Sequence, residues 1–343
     1  GIPKFCCGAT FMGRSGGGAT GRNGSGGQTC NPVDLASGNA VLFRPRPFGM
    51  SKFMSMDANC RYRSTDTRQG LFGRGFSFTY DWFAERVGTA VRVTDPEGRQ
   101  YMLAREADGI FRARSGRPEA IGWEVIPTAA GRTLRMAEGT SYEFNTAGRL
   151  QAIADLSGNR ISFEVDALGF PRSITDASGQ VYDFTLSGSQ QSTRITRITD
   201  PAGRYLEFTY DASRRLSTYR DQGGHLTQFA YDAAGRVAQV TDPRGAVKSL
   251  FYDASGRVIR EVLPGGAEER FTYSGAGATV AETRYTNPNG HTTTPRFSGL
   301  AHPALTADAL GRETRIERDP LTHLPLRITD PAGRLTQFSY NAR

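Results

Sequence analysis

Lysine is almost missing from this chain. Among its 42 basic residues only Lys4, Lys52 and Lys248 are lysines, and the others are arginines. Histidine is scarce too, and His225, His291, His302 and His323 show none of the close spacing that a metal ligand set needs. The four cysteines, Cys6, Cys7, Cys30 and Cys60, precede the regular part of the sequence and include no C-x-x-C pair. That excludes the common zinc patterns and leaves the disulfide pairing open, with adjacent Cys6 and Cys7 taking different partners. Such pairing would belong to an oxidising compartment. No apolar run approaches the ~18 residues of a membrane-spanning helix, and no basic start followed by an apolar segment marks a secretory leader.

Catalytic signatures are absent as well. There is no G-x-S-x-G elbow, and Gly13 to Gly18 is glycine-rich but lacks the lysine and the following helix of a phosphate cradle. Carboxylates are plentiful, yet they sit at turns, where capping of backbone N–H groups accounts for them. No nucleophile, base and orienting group can be assembled, so no enzyme, no cofactor and no metal is expected. A carbohydrate-active enzyme built on turn carboxylates is the foil to that reading.

What is present is glycine (41), proline (17) and a fixed period. Tyr210, Tyr231, Tyr252 and Tyr273 follow one another at 21 residues, as do Asp200, Asp221 and Asp242. A period of this size marks a repeat architecture. Each unit holds two short strands and two turns. In Asp242-Pro243-Arg244-Gly245 the aspartate accepts backbone N–H bonds, the proline pre-sets the first corner, and the glycine takes the left-handed position of a bulged hairpin. The same reading applies to Asp95 with Gly98, Asp200 with Gly203, and Asp330 with Gly333. Successive strands are therefore antiparallel neighbours.

Before the turn aspartate, Phe208 precedes Tyr210 by two positions and Phe229 precedes Tyr231, so period two places each pair on one face. Together with Tyr252 and Tyr273 they are the expected repeat core, stacking as cross-strand ladders. The fold class is all-β: a repetitive antiparallel sheet, strongly curved by its bulged turns into an open or partial shell.

The formal net charge of +8 fits nucleic acid in principle. Many of its arginines, however, occupy one slot just after a turn glycine, among them Arg99, Arg204, Arg236, Arg257 and Arg334. Scattered by the repeat rather than clustered, they read as partners of turn carboxylates, so no nucleic-acid partner is expected.

Three regions follow. Residues 1–30 are a glycine-rich, cysteine-containing arm too poor in apolar surface to offset its own chain entropy. Residues 31–92 hold short strands and an aromatic and Met-rich passage, read as core that seals the sheet. Residues 93–343 are the repeat array. Because Tyr340 to Arg343 begin another turn, the array is expected to continue past Arg343 or to be completed by another subunit.

The Tyr-Asp pairs at 210, 231 and 252, the DPxGR turns at Asp95, Asp200 and Asp330, and the leader Asn31-Pro32-Val33-Asp34-Leu35 with Gly70-Leu71-Phe72-Gly73-Arg74-Gly75-Phe76 resemble the Rhs/YD-repeat family. The resemblance implies a plug module followed by YD repeats, with sheets that spiral into hollow shells, as in bacterial polymorphic toxins and teneurins. It implies a secreted or surface-bound bacterial protein without enzymatic activity, whose partners are further repeats or an enclosed effector. The turn from Tyr210-Asp211 departs from the pattern, having Ser213-Arg214 where glycine is usual. The alternative is a subunit of an extracellular filament, self-associating by strand addition between neighbours.

Overall fold

The computed structural model describes residues 33–42, 60–113, 118–189, 192–275, 280–298, 302–308 and 310–340. Cys6, Cys7 and Cys30, the glycine-rich arm and the Met-rich passage from Met50 to Met56 lie outside the described residues. Strand makes up 54% of the described residues, which include no α-helix, and 25 strands form one antiparallel sheet that is not closed. The described residues fall into two compact units, one within 42–248, 318–325 and 339–340, the other within 33–41, 249–317 and 326–338.

Consecutive strands pair through turns built to one plan. At each of the four expected turns the glycine N–H donates to the aspartate carbonyl at 2.9 Å, as Gly98 to Asp95, Gly203 to Asp200, Gly245 to Asp242 and Gly333 to Asp330. Their φ values run from +77° to +81°, the left-handed region that costs an L side chain about 1–2 kcal/mol. The aspartate N–H donates to the carbonyl four residues on, and its Oδ1 accepts that residue's N–H in return, at 2.9 and 2.8 Å for Asp232 and Arg236. At Asp211 the left-handed position falls to Arg214, with φ +60°.

The period of 21 is odd, whereas side chains alternate with period two. A bulge in the units of Tyr210, Tyr231 and Tyr252 reconciles them. Thr209 pairs with Thr218 and Tyr210 with Leu216, which leaves Ser217 unpaired; the ladders at Tyr231/Val237 and Tyr252/Val258 slip in the same way. Leu216 and Tyr219, three apart, can then both point into the core, at 0% and 4% exposed.

In the larger unit, the strand Phe83–Val87 starts a run of eight strands ending at Leu150–Ala154. That run folds back on itself: Phe83 is bridged to Arg149, and the Ala84 N–H donates to the Gly148 carbonyl at 3.1 Å. Its interior holds Val93, Leu103, Val125 and Leu134, each fully buried. Further along, Phe208, Phe229, Phe271 and Leu250 are buried as expected of a repeat core. The tyrosines are half-buried instead, and they do a different job. Tyr210, Tyr231 and Tyr273 donate their hydroxyls to the carbonyls of Ile195, Leu216 and Val258 at 2.5, 2.6 and 2.6 Å.

Candidate functional site

Each bulge turns a backbone N–H away from the ladder, and a buried N–H left unmet is costly. These groups form the seam along which the leading part of the chain is held. In the larger unit the N–H of Ile195 donates to the Leu71 carbonyl at 2.9 Å, and the N–H of Val237 donates to the Tyr62 hydroxyl at 3.0 Å. In the smaller unit the N–H of Val258 donates to the Gly38 carbonyl at 2.8 Å. At two further bulges the chain has another solution. Pro171 and Pro303 stand at the same bulge position and carry no N–H at all.

Aromatic stacking follows the same line. Tyr80 meets Phe163 at 5.0 Å, Phe78 meets Phe184 at 5.9 Å, Phe72 meets Phe208 at 4.8 Å and Phe76 meets Phe229 at 5.5 Å, one partner in each of four successive repeats. Approach this close needs glycine. A Cβ on Gly38 would stand 2.6 Å from Arg257 Cβ and 2.9 Å from Tyr273 Cζ, and one on Gly73 would stand 3.0 Å from the Arg214 carbonyl oxygen. The glycines of the leader are thus clearances for the sheet surface.

Electrostatics bind the turns to the same segment. Glu97 pairs with Arg61, Arg63 and Arg99, and the Arg68 guanidinium donates to the Pro96 carbonyl at 3.0 Å. Asp81 accepts the Phe78 N–H at 2.7 Å, yet desolvation of its carboxyl outweighs that bond and lifts its pKa to about 6. Cys60 carries a free thiol that is fully buried. Burial first and the nearby Asp81 charge second push that thiol well above its ordinary range, so it is an inert core group.

Among the described residues no group of three His, Cys, Asp or Glu side chains could hold a metal ion. An open groove of about 550 Å³ runs over Thr185, Ser187, Thr196, Arg197, Glu207 and Thr209. It brings together hydroxyls and an Arg197–Glu207 pair at 3.2 Å, with no histidine or thiol to act as base or nucleophile.

Sequence reasoning named turn aspartates, turn glycines and phenylalanines; in the structure the aspartates and glycines stand at hairpin corners and Phe208 and Phe229 are buried. It missed Leu71, Tyr62 and Gly38 as acceptors and Ile195, Val237 and Val258 as donors. Two signals were available: the odd period, which demands a bulge, and proline recurring where an N–H is dispensable.

Matches to known proteins are partial. A family model described as RHS Repeat matches residues 192–225 and 215–247, and one described as a domain of unknown function (DUF6531) matches residues 30–103. No curated protein matches the chain. Among solved structures, the crystal structure of TcdB2-TccC3 is similar at 10% identity with a TM-score of 0.43, over 78% of this chain and 17% of that one. The Tc holotoxin pore of Photorhabdus luminescens, carrying a TccC3 mutation, is similar at 13% identity and a TM-score of 0.36, over 74% of this chain and 17% of that one. A porin-like protein of Bacteroides uniformis is similar at 10% identity and a TM-score of 0.26, over 62% of this chain and 91% of that one.

Proposed function

This chain belongs to the Rhs/YD-repeat family, and from that premise we propose that it is a non-enzymatic wall segment of a secreted bacterial shell that encloses or delivers a toxin or other cargo. Residues 31–92 act as its plug module and residues 93–343 as its wall, with further repeats or an enclosed effector as partners. The observation that carries this reading is the seam itself. Four successive repeats present an aromatic side chain to the leading segment, and bulge N–H groups receive its acceptors. A surface so lined is shaped to be covered, and its polar groups are spent on joining chain to chain rather than on chemistry. No helix among the described residues is long and apolar enough to cross a membrane.

Electron microscopy of the native, full-length secreted polypeptide is the test, combined with proteolysis before and after mild denaturation. Hollow particles holding a fragment that is digested only after denaturation are the expected result. Fibres, or particles with no protected fragment, would count against the reading.

A further inference from the structure

One corner of the larger unit breaks the repeat's own rule. At three turns on the same edge of the sheet Gly148, Gly169 and Gly235 hold the left-handed position, with φ from +77° to +83°, whereas the turn from Asp211 puts Arg214 there at φ +60°. An L side chain is strained in that region, and a retained outlier points to a use for the side chain. The Arg214 side chain is exposed and makes no hydrogen bond or ion pair among the described residues. Beneath it the buried Arg194 donates from Nε to the Arg214 carbonyl at 3.4 Å. Burial lowers the Arg194 pKa, Tyr210 raises it, and the Arg214 charge lowers it further, so the corner carries like charge as well as strain. The leading segment adds another cation. Gly73 abuts the Arg214 carbonyl, and Arg74 donates from Nη1 to the Ala234 carbonyl at 3.1 Å in the next turn along this edge. A Cβ on Gly235 would stand 3.3 Å from Arg74 Nη1 and 3.8 Å from Arg215 Nη1. Arg215 and Arg236 are matched by Asp211 and Asp232, at 2.7 Å each, so Arg74 and Arg214 stand in excess of the turn carboxylates.

We propose that this edge is a docking site for an extended acidic peptide segment of a partner protein, with one carboxylate on Arg214 and a second on Arg74. The chemistry is complementary: a guanidinium takes a carboxylate through two parallel N–H bonds, and each of these arginines brings a charge that the turns do not match. The spacing agrees with it. The turns at 211–214 and 232–235 lie two strand spacings apart, about 10 Å, and an extended chain advances ~3.3 Å per residue, so carboxylates three positions apart reach both. A bound carboxylate also offsets the repulsion between Arg214 and Arg194, which gives the strained corner its use. Nucleic acid fits less well, because its affinity comes from neutralising many phosphates and this edge offers two exposed cations. The proposal goes beyond the wall-segment reading and does not depend on it.

The test is fluorescence anisotropy of a labelled Gly/Ser peptide carrying glutamates three positions apart, titrated with the whole chain at low salt. The wild type should bind this peptide and not its glutamine twin, and binding should weaken as salt rises towards ~0.15 M. Arg214→Gly restores the usual corner residue and so keeps the fold; it should weaken binding about threefold or more, and Arg74→Gln should do the same. Arg244 is an exposed turn arginine at the opposite edge, and Arg244→Ala should leave binding unchanged. No binding of the glutamate peptide, equal affinity in wild type and Arg214→Gly, an equal loss in Arg244→Ala, or tighter binding of a single-stranded DNA oligonucleotide of the same charge would overturn the proposal.

Discussion

At the scale of single residues, the repeat turn explains why arginine is abundant and lysine nearly missing. In the turn at Asp253 the Arg257 Nε donates to Asp253 Oδ2 at 2.7 Å, while the guanidinium lies over the Tyr273 ring, 4.9 Å from its centre. Arg215 does the same with Asp211 at 2.7 Å and over Tyr231 at 4.4 Å. A planar fork serves both contacts at once, and an ammonium cannot. Arg257→Lys keeps the charge, yet should lower stability by about 1 kcal/mol in urea unfolding; an unchanged midpoint would show that charge alone suffices. The left-handed corner gives a second expectation. Gly203, at φ +79° with open space around its Cβ direction, should lose about 1–2 kcal/mol as Gly203→Ala through backbone strain alone. Arg214, at φ +60°, should gain about 0.5–1 kcal/mol as Arg214→Gly, the relief of strain exceeding the added chain entropy. Opposite signs in thermal unfolding are the readout.

At the scale of elements, the bulge is the joint between strand and seam. Its N–H is met by a carbonyl, by a tyrosine hydroxyl or by being replaced with proline. That makes a double-mutant cycle informative. Tyr62→Phe strands the buried Val237 N–H, now 3.0 Å from the hydroxyl, and should cost about 1–3 kcal/mol. Val237→Pro removes the N–H and should cost less in the Tyr62→Phe background than in the wild type, by about 1 kcal/mol. Strict additivity would mean that this bond contributes nothing to holding the segment. The β-ladders themselves follow from period-two alternation, but the seam joins residues as far apart as Tyr62 and Val237. Such contacts leave no local trace in a sequence.

At the scale of the whole molecule, carboxylates pull stability in two directions as pH changes. The turn aspartates at 155, 166, 242 and 308 have pKa values held below the usual range, and backbone N–H bonds lower each of them. The stability they supply is present above the unfolded pKa and is lost as pH falls through the folded values. Asp81 is opposite in sign. Its folded pKa of about 6 exceeds the unfolded value, so the native state holds the proton more tightly. Its penalty is absent below the unfolded pKa of about 4 and grows as pH rises through about 6. Stability should therefore rise as pH falls from 7 towards about 4.5, then drop steeply as the turns protonate. Urea midpoints across that range check this, and Asp81→Asn should flatten the rising limb while leaving the acid loss in place.

Much of this protein could be read from residue order alone. Turns, antiparallel neighbours, the buried phenylalanines and the arginine–aspartate pairing all depend on residues within about a dozen positions of one another, where spacing and backbone preference act directly. The tertiary structure decided what the spacing could not. It set the tyrosines as backbone anchors rather than core, because a phenol at the sheet margin finds a carbonyl 15 residues upstream. It turned the odd period into a row of bulges whose N–H groups need acceptors from the far end of the chain. It also placed Glu261 opposite Glu269, which only strand register brings together.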